Sequence, residues 1–358
     1  MTHLTHMTHM TPIRLLAGLV AAILLTAPYA VAVEFPNATQ PQLAATADGR
    51  VWLAFGRDKE IFVARSDDAG ATFSAPVRVA ALPSLMLGKR RGPRIAAHGE
   101  RVTVTAMAGD FFAFSSKDAG KTWAGPVRVN DVPRSAREGL NGLAVAPDGR
   151  VFTTWLDLRG ERTQLFGAES ADGGATWSAN QLVYRAPAGS TVCECCHPSA
   201  EFNARGDLAV MWRNGIEGAR DMWSATRPAG AGDFRRAAKI GEGEWILKAC
   251  PMDGGAVFAE GDAFATIWQR AGAVFYARVA GPEKQLATGT QPVAVATAMR
   301  SIAVWQQGAD LWTSPLDAAT APRLLVAKAR FPTLIALPGS EHMLLSYERG
   351  SEVVVERL

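Results

Sequence analysis

The chain has 358 residues, 48% of them hydrophobic, which is enough to bury the core of one large or two ordinary domains. Its 37 Lys and Arg against 34 Asp and Glu leave a formal charge of +3, and the one basic run is Lys89-Arg90-Arg91. So small and dispersed an excess argues against a nucleic-acid partner.

At the N-terminus, Arg14 precedes an uninterrupted apolar stretch from Leu15 to Leu25, and Ala30-Val31-Ala32 follows it. That layout predicts a secretory signal over residues 1–32, cut before Val33, and the stretch is too short to span a bilayer. The leading Met1-Thr2-His3-Leu4-Thr5-His6-Met7-Thr8-His9-Met10 leaves with it, whether translation starts at Met1, Met7 or Met10. Residues 33–358 are then expected to be one exported domain, periplasmic or extracellular, monomeric, without stable membrane insertion, in an oxidising compartment.

From there the chain alternates apolar and polar residues in short runs, and the helical period is nearly absent. The first unit predicts strands over Gln42–Ala47, Val51–Phe55, Ile61–Ser66 and Ala75–Val79. Between its last two strands lies Ser66-Asp67-Asp68-Ala69-Gly70-Ala71-Thr72-Phe73. The pattern returns as Ser116-Lys117-Asp118-Ala119-Gly120-Lys121-Thr122-Trp123 and as Ser170-Ala171-Asp172-Gly173-Gly174-Ala175-Thr176-Trp177. Mechanically it reads as a hairpin turn: Ser and Asp accept from backbone N–H groups, Gly supplies positive φ, and the aromatic pins the turn to the sheet. A period of this length means propeller blades. The motif resembles the Asp box, or BNR repeat, of the sialidase-like β-propellers. The resemblance implies an all-β ring of four-stranded antiparallel blades.

An apolar residue closes each second strand: Phe55, Met107, Trp155, Trp212, Trp268, Trp305 and Tyr347. This marker counts seven units, with six blades, the number in sialidases proper, as the alternative. The last unit supplies three strands, Phe331–Ala336, His342–Tyr347 and Glu352–Glu356. The ring would close by borrowing Val33 to Pro36 as its outer strand, which removes an exposed edge. If first strands run downward, the repeated turns lie on the bottom. The top then carries Arg57, Asp58, Arg94, Asp157, Arg159, Arg213, Arg220, Asp221 and Arg349, of which the arginines suit a carboxylate or other anion by bidentate pairing.

All four cysteines fall at the top-face starts of two consecutive units, as Cys193-Glu194-Cys195-Cys196-His197-Pro198 and Cys250-Pro251-Met252-Asp253. Two disulfides would suit an exported protein, yet three cysteines in four residues force one bridge to close inside the loop under strain. A soft-metal site is the second reading, with copper, or zinc, held by Cys193, Cys195, Cys196, Cys250, His197 and Met252. A redox-active pair is the third.

Sialidases use three arginines on the substrate carboxylate, a Tyr–Glu nucleophile pair and an Asp acid/base. Here Tyr347-Glu348 looks like such a pair and Asp58 or Asp157 like the acid, but Tyr347 repeats the packing position of Trp305. Adjacent strand residues also face opposite ways. No P-loop, dinucleotide fingerprint, H-E-x-x-H or G-x-S-x-G occurs. The leading expectation is a top face that binds an anionic glycan or small ligand without ordinary sialidase catalysis. A divergent sialidase-type glycoside hydrolase and a metal-handling protein are the alternatives.

Overall fold

The computed structural model describes residues 1–2, 32–316 and 320–358. The expected signal segment, residues 1–32, lies outside the described residues except for 1–2 and 32. Every regular element among the described residues is a strand, and the strands form seven antiparallel sheets in a ring. Each blade follows one recipe, seen in the first: Thr39–Ala45, Val51–Arg57, Glu60–Ser66 and Val77–Ala81, each hydrogen-bonded to the next. The expected first and fourth strands are displaced by two or three residues. The middle strands, whose buried alternation is strongest, lie within two residues of expectation.

Seven blades replace the six-blade alternative because the closure works. Arg330–Ala336, Met343–Arg349 and Glu352–Arg357 are completed by Val33–Pro36, which runs antiparallel to the last of them with Val33 opposite Val355 and Pro36 opposite Glu352. The outer strand of the seventh blade is therefore the first strand of the chain. Phe35 anchors it against Phe55 and Phe73. Closure leaves no unpaired ladder at the seam.

Blades pack through the residues that close the second strands. Trp155, Trp212, Trp268, Trp305 and Tyr347 are all at most 1% exposed, each within an apolar cluster. Large flat rings suit wedge-shaped gaps between twisted sheets, where they bury much area with few rotamers.

The three repeated turns are superimposable in their bonding. Ser66 Oγ accepts from Gly70 N at 2.8 Å and donates to Asp68 Oδ1 at 2.7 Å. The same Oδ1 accepts from Thr72 N at 2.8 Å, and Oδ2 accepts from the Thr72 hydroxyl at 2.6 Å. Ser116 and Asp118, and Ser170 and Asp172, repeat this within 0.1 Å. Gly70, Gly120 and Gly174 have positive φ, and so do Ala69, Ala119 and Gly173 before them, a second left-handed residue that the motif alone did not reveal. A methyl on Gly70 would also meet Leu344 at 2.6 Å, which couples this turn to the neighbouring blade. Trp123 and Trp177 pin their turns through Nε1 to Gly120 O and Gly174 O, at 3.1 and 3.2 Å.

These turns make an acid-labile element. The Thr72 and Thr122 hydroxyls, then their N–H groups, hold the Asp68 and Asp118 carboxyls down to about 2. Both folded values lie below the ordinary carboxylate value, so the stabilisation is full above about pH 4 and is lost as pH falls toward about 2. Thermal melts followed by far-ultraviolet circular dichroism should show a midpoint that is flat near neutrality and falls below about pH 4. Asp68→Asn should make that fall shallower; an unchanged slope would count against the role of the turn.

Candidate functional site

The innermost strands of the seven blades, Thr39–Ala45, Arg94–His98, Asn141–Val145, Ser199–Phe202, Ala256–Glu260, Thr290–Ala296 and Arg330–Ala336, surround a central channel of about 450 Å³. Its wall is mostly Ala, Gly and aliphatic side chains, because seven strands converge there and leave little room. Glu201 interrupts that wall. Its carboxyl is pushed up to about 7 by burial, and among the described residues it has no ion-pair partner. Sequence reasoning missed it, although the Ser-Ala-Glu-Phe alternation of its strand turns Ser199 and Glu201 to one side.

At the top of the channel the starts of the second, third and fourth blades bring Arg94, Asn141 and His197 to the lining. Arg94 donates to Arg90 O at 2.6 Å and Pro93 O at 3.3 Å, and no carboxylate pairs with it among the described residues. Burial, then the neighbouring Arg90, lowers its guanidinium to about 9. Asn141 spends its Oδ1 on the Thr105 hydroxyl at 3.0 Å, which leaves Nδ2 buried and without a partner. His197 is driven well below its ordinary value by burial, then by Arg90 and Arg94. The ring is therefore neutral. With Nε2 donating to Gly255 O at 3.0 Å, Nδ1 is a buried acceptor without a partner among the described residues. One donor and one acceptor thus line one channel mouth unspent, beside a guanidinium with no carboxylate partner among the described residues.

Arg90 was read only as part of a basic run. Its guanidinium reaches across the ring to Gln291 Oε1 at 2.8 Å, Gln291 O at 3.0 Å and Pro332 O at 2.7 Å, so it ties the loop before the second blade to the sixth and seventh.

Most of the other top-face arginines, expected as ligand contacts, have partners within the protein. Arg213 is 1% exposed and bonds Asp253 O, Gln269 O and Arg220 O. Arg159 lies 3.8 Å over the Phe166 ring and pairs with Asp157 and Asp131. Arg57 sits over Phe62 and donates to Pro36 O, while Arg349 pairs with Glu34 of the closing strand. Asp221 is occupied by Lys239 and Trp245 N. Arg220 differs: Nε and Nη1 are buried without a hydrogen-bond partner, and Glu194 stands 4.0 Å away.

The expected acid/base and nucleophile candidates also have other duties. Tyr347 is 1% exposed beside Val304, Leu311 and Val354, and burial raises its phenol to about 12. Glu348 accepts from Gln40 N and Gln40 Nε2, both at 2.8 Å, from Arg330 Nε at 3.0 Å and from the Thr39 hydroxyl. Asp157 is fully buried; burial acts to raise it, but Arg159, Trp155 Nε1 and the Ser135 hydroxyl outweigh this and hold it below its ordinary value. An acid catalyst needs the opposite shift. Asp58 is exposed at a left-handed hairpin position.

Three of the four cysteines converge. Cys193 Sγ lies 3.6 Å from both Cys195 Sγ and Cys196 Sγ, all three thiols within 4.8 Å of one another, and all three residues are buried. Hydrogen bonding with the Cys195 thiol, then with the Cys196 thiol, draws Cys193 far down, while the contact with Cys193 pushes Cys195 up. Burial pushes Cys196 up. Met252 packs on the cluster. Cys250 is exposed and outside it, and His197 lines the channel instead, so two of the six expected ligands are separated from the rest.

No family model matches the chain, and no curated protein matches it. Solved structures do. They include the polysaccharide lyase Uly1, with a TM-score of 0.58 and 8% identity over 92% of this chain and 98% of that one. An ulvan lyase bound to -[GlcA(1-4)Rha3S]- gives 0.55 and 11%, over 89% and 93%. The α-L-arabinofuranosidase Arb93A of Fusarium graminearum gives 0.52 and 12%, over 90% and 93%. The likeness is one of fold. A Dyadobacter fermentans protein of unknown function matches as well, at 0.52 and 13%, over 90% and 94%.

Proposed function

We propose that this protein is an exported β-propeller that binds an acidic saccharide at the top of its channel, and that it does so without sialidase-type hydrolysis. One observation carries the reading: Asn141 Nδ2 is a donor and His197 Nδ1 an acceptor without a hydrogen-bond partner among the described residues, beside the Arg94 guanidinium, which bonds only backbone carbonyls and has no carboxylate counter-ion among them. Buried polar groups are rarely left unpaired unless something else pairs with them. A sugar carboxylate would accept from Asn141 Nδ2 and offset the Arg94 charge, and a neighbouring hydroxyl would donate to His197. Lyases and an arabinofuranosidase of similar fold act on carbohydrate, which supports that ligand class. Tyr347 and Glu348 supply no nucleophile pair, since one packs in the core and the other is saturated.

The test is calorimetric titration with uronate-containing oligosaccharides and neutral counterparts of equal length. The acidic series should bind and the neutral series should not. Arg94→Gln should weaken binding by about ten- to a hundredfold, as expected for losing a charged hydrogen bond. Asn141→Ala should weaken it less. Equal binding of the neutral series, or unchanged affinity in a folded Arg94→Gln protein, would overturn the reading.

A further inference from the structure

We propose that Cys193, Cys195 and Cys196 form a trithiolate site for one Cu(I) ion, with the Met252 thioether as a soft fourth contact. The site stands apart from the saccharide reading and survives its failure.

Geometry comes first. Two edges of the sulfur triangle are 3.6 Å, and the third is at most 4.8 Å. A point equidistant from the three sulfurs lies about 2.1 Å from each if the triangle is equilateral and about 2.4 Å at the upper limit, which brackets an ordinary metal–thiolate bond of about 2.3 Å. The three sulfurs need no rearrangement to meet an ion of that size. The backbone holds them there: Cys193 N donates to Arg213 O at 2.8 Å, and Thr191–Val192 just before it pairs with the second strand of the fourth blade.

The donor set selects the metal. Thiolate and thioether sulfur favour Cu(I), whereas a structural zinc site takes four thiolate, imidazole or carboxylate ligands. Here the group that could hold an ion contains sulfur alone, and the nearby soft side chain is Met252. Met252 is placed by its own left-handed backbone, φ 54°, and by its carbonyl, which accepts from Gln291 Nε2 at 2.9 Å.

Charge gives an independent argument. Three thiolates around Cu(I) carry a net charge of −2, and binding releases the thiol protons to solvent. Two arginines are in place to face that charge. Arg220 acts on Cys193, and its Nε and Nη1 are buried without a hydrogen-bond partner among the described residues; Arg213 acts on Cys196. Two buried guanidinium N–H groups beside neutral thiols, with only the half-exposed Glu194 4.0 Å away, are costly, but beside an anionic copper–thiolate centre they are satisfied.

The experiment uses the full chain, reduced and loaded with Cu(I) under anaerobic conditions, then challenged with a chromogenic Cu(I) chelator. One copper per chain should be retained. Cys195→Ser should abolish retention, Cys250→Ser should leave it unchanged, and Arg220→Gln should weaken it by about ten- to a hundredfold. Should Cys195→Ser fail to fold, alkylation of the unaltered protein decides: copper should shield three thiols and leave Cys250 to react. Four reactive thiols in the presence of copper, loss of all copper to the chelator, or displacement by equimolar Zn(II) would each overturn the proposal. So would a bridge among the three cysteines that persists through mild reduction and blocks uptake.

Discussion

Replacing Glu348 by alanine is expected to cost about 3 kcal/mol of stability, the upper end for leaving a buried backbone donor unpaired. The carboxylate is 3% exposed and joins the last blade to the first: Gln40 N, Gln40 Nε2 and the Thr39 hydroxyl come from the first blade, Arg330 from the seventh. Without it, Gln40 N, which belongs to a residue only 3% exposed, loses its acceptor, and Arg330 loses its counter-ion. Gln40 itself has φ 55°, so the backbone there is held in a conformation that its side chain disfavours. Glu348→Gln should fall between the two proteins, because the amide keeps one acceptor but faces Gln40 and Arg330 with a donor it cannot place. Denaturant midpoints of the three proteins check this. If Glu348→Ala proved as stable as the unaltered protein while abolishing turnover of a sialoside, the carboxylate would be a catalytic group and not a clamp between blades.

The difference between what the sequence displayed and what it hid follows from the range of each interaction. The repeated turns are closed within eight residues, with every side-chain hydrogen bond of Asp68 or Asp118 going to neighbours four positions away or fewer, so their motif is complete in the sequence. The blades are legible for the same reason, since each is a local meander. Even the closing strand was legible, because a last unit of three strands needs a fourth. The fates of the arginines were not. Arg213 is taken up by carbonyls of residues 253 and 269, and Arg90 by residues 291 and 332, acceptors that any sequence supplies and none advertises. The cysteine loop falls between these cases. Spacing alone brings Cys193, Cys195 and Cys196 together, but whether Cys250 or Met252 turns inward depends on the left-handed backbone at Met252, which no side-chain pattern encodes.

That loop supplies the second large effect. Gly254→Ala should destabilise the protein by about 3 kcal/mol, the upper end for overpacking, and should lower its Cu(I) affinity at the same time. A methyl at Gly254 would lie 1.8 Å from His197 O and 2.9 Å from His197 Nδ1, and the carbonyl cannot rotate away as a side chain would. One of the two segments must retreat, and the 252–255 segment is tied on both sides. Asp253 O accepts from Arg213 Nε and Nη2 at 3.1 and 3.0 Å, Asp253 Oδ2 from Gln291 N at 2.5 Å, and Met252 O from Gln291 Nε2. The retreat therefore falls on residues 195–198, which carry two thiols of the cluster and the channel histidine. Moving them by the ångström or more that the methyl demands would open the sulfur triangle and separate it from Met252. The loss of copper should then exceed what the loss of global stability explains, since the protein remains largely folded at room temperature. Chemical denaturation and chelator competition on the same preparation separate the two quantities. A Gly254→Ala protein that melts earlier yet keeps full copper affinity would mean that the two loops are coupled in packing but not in the metal site.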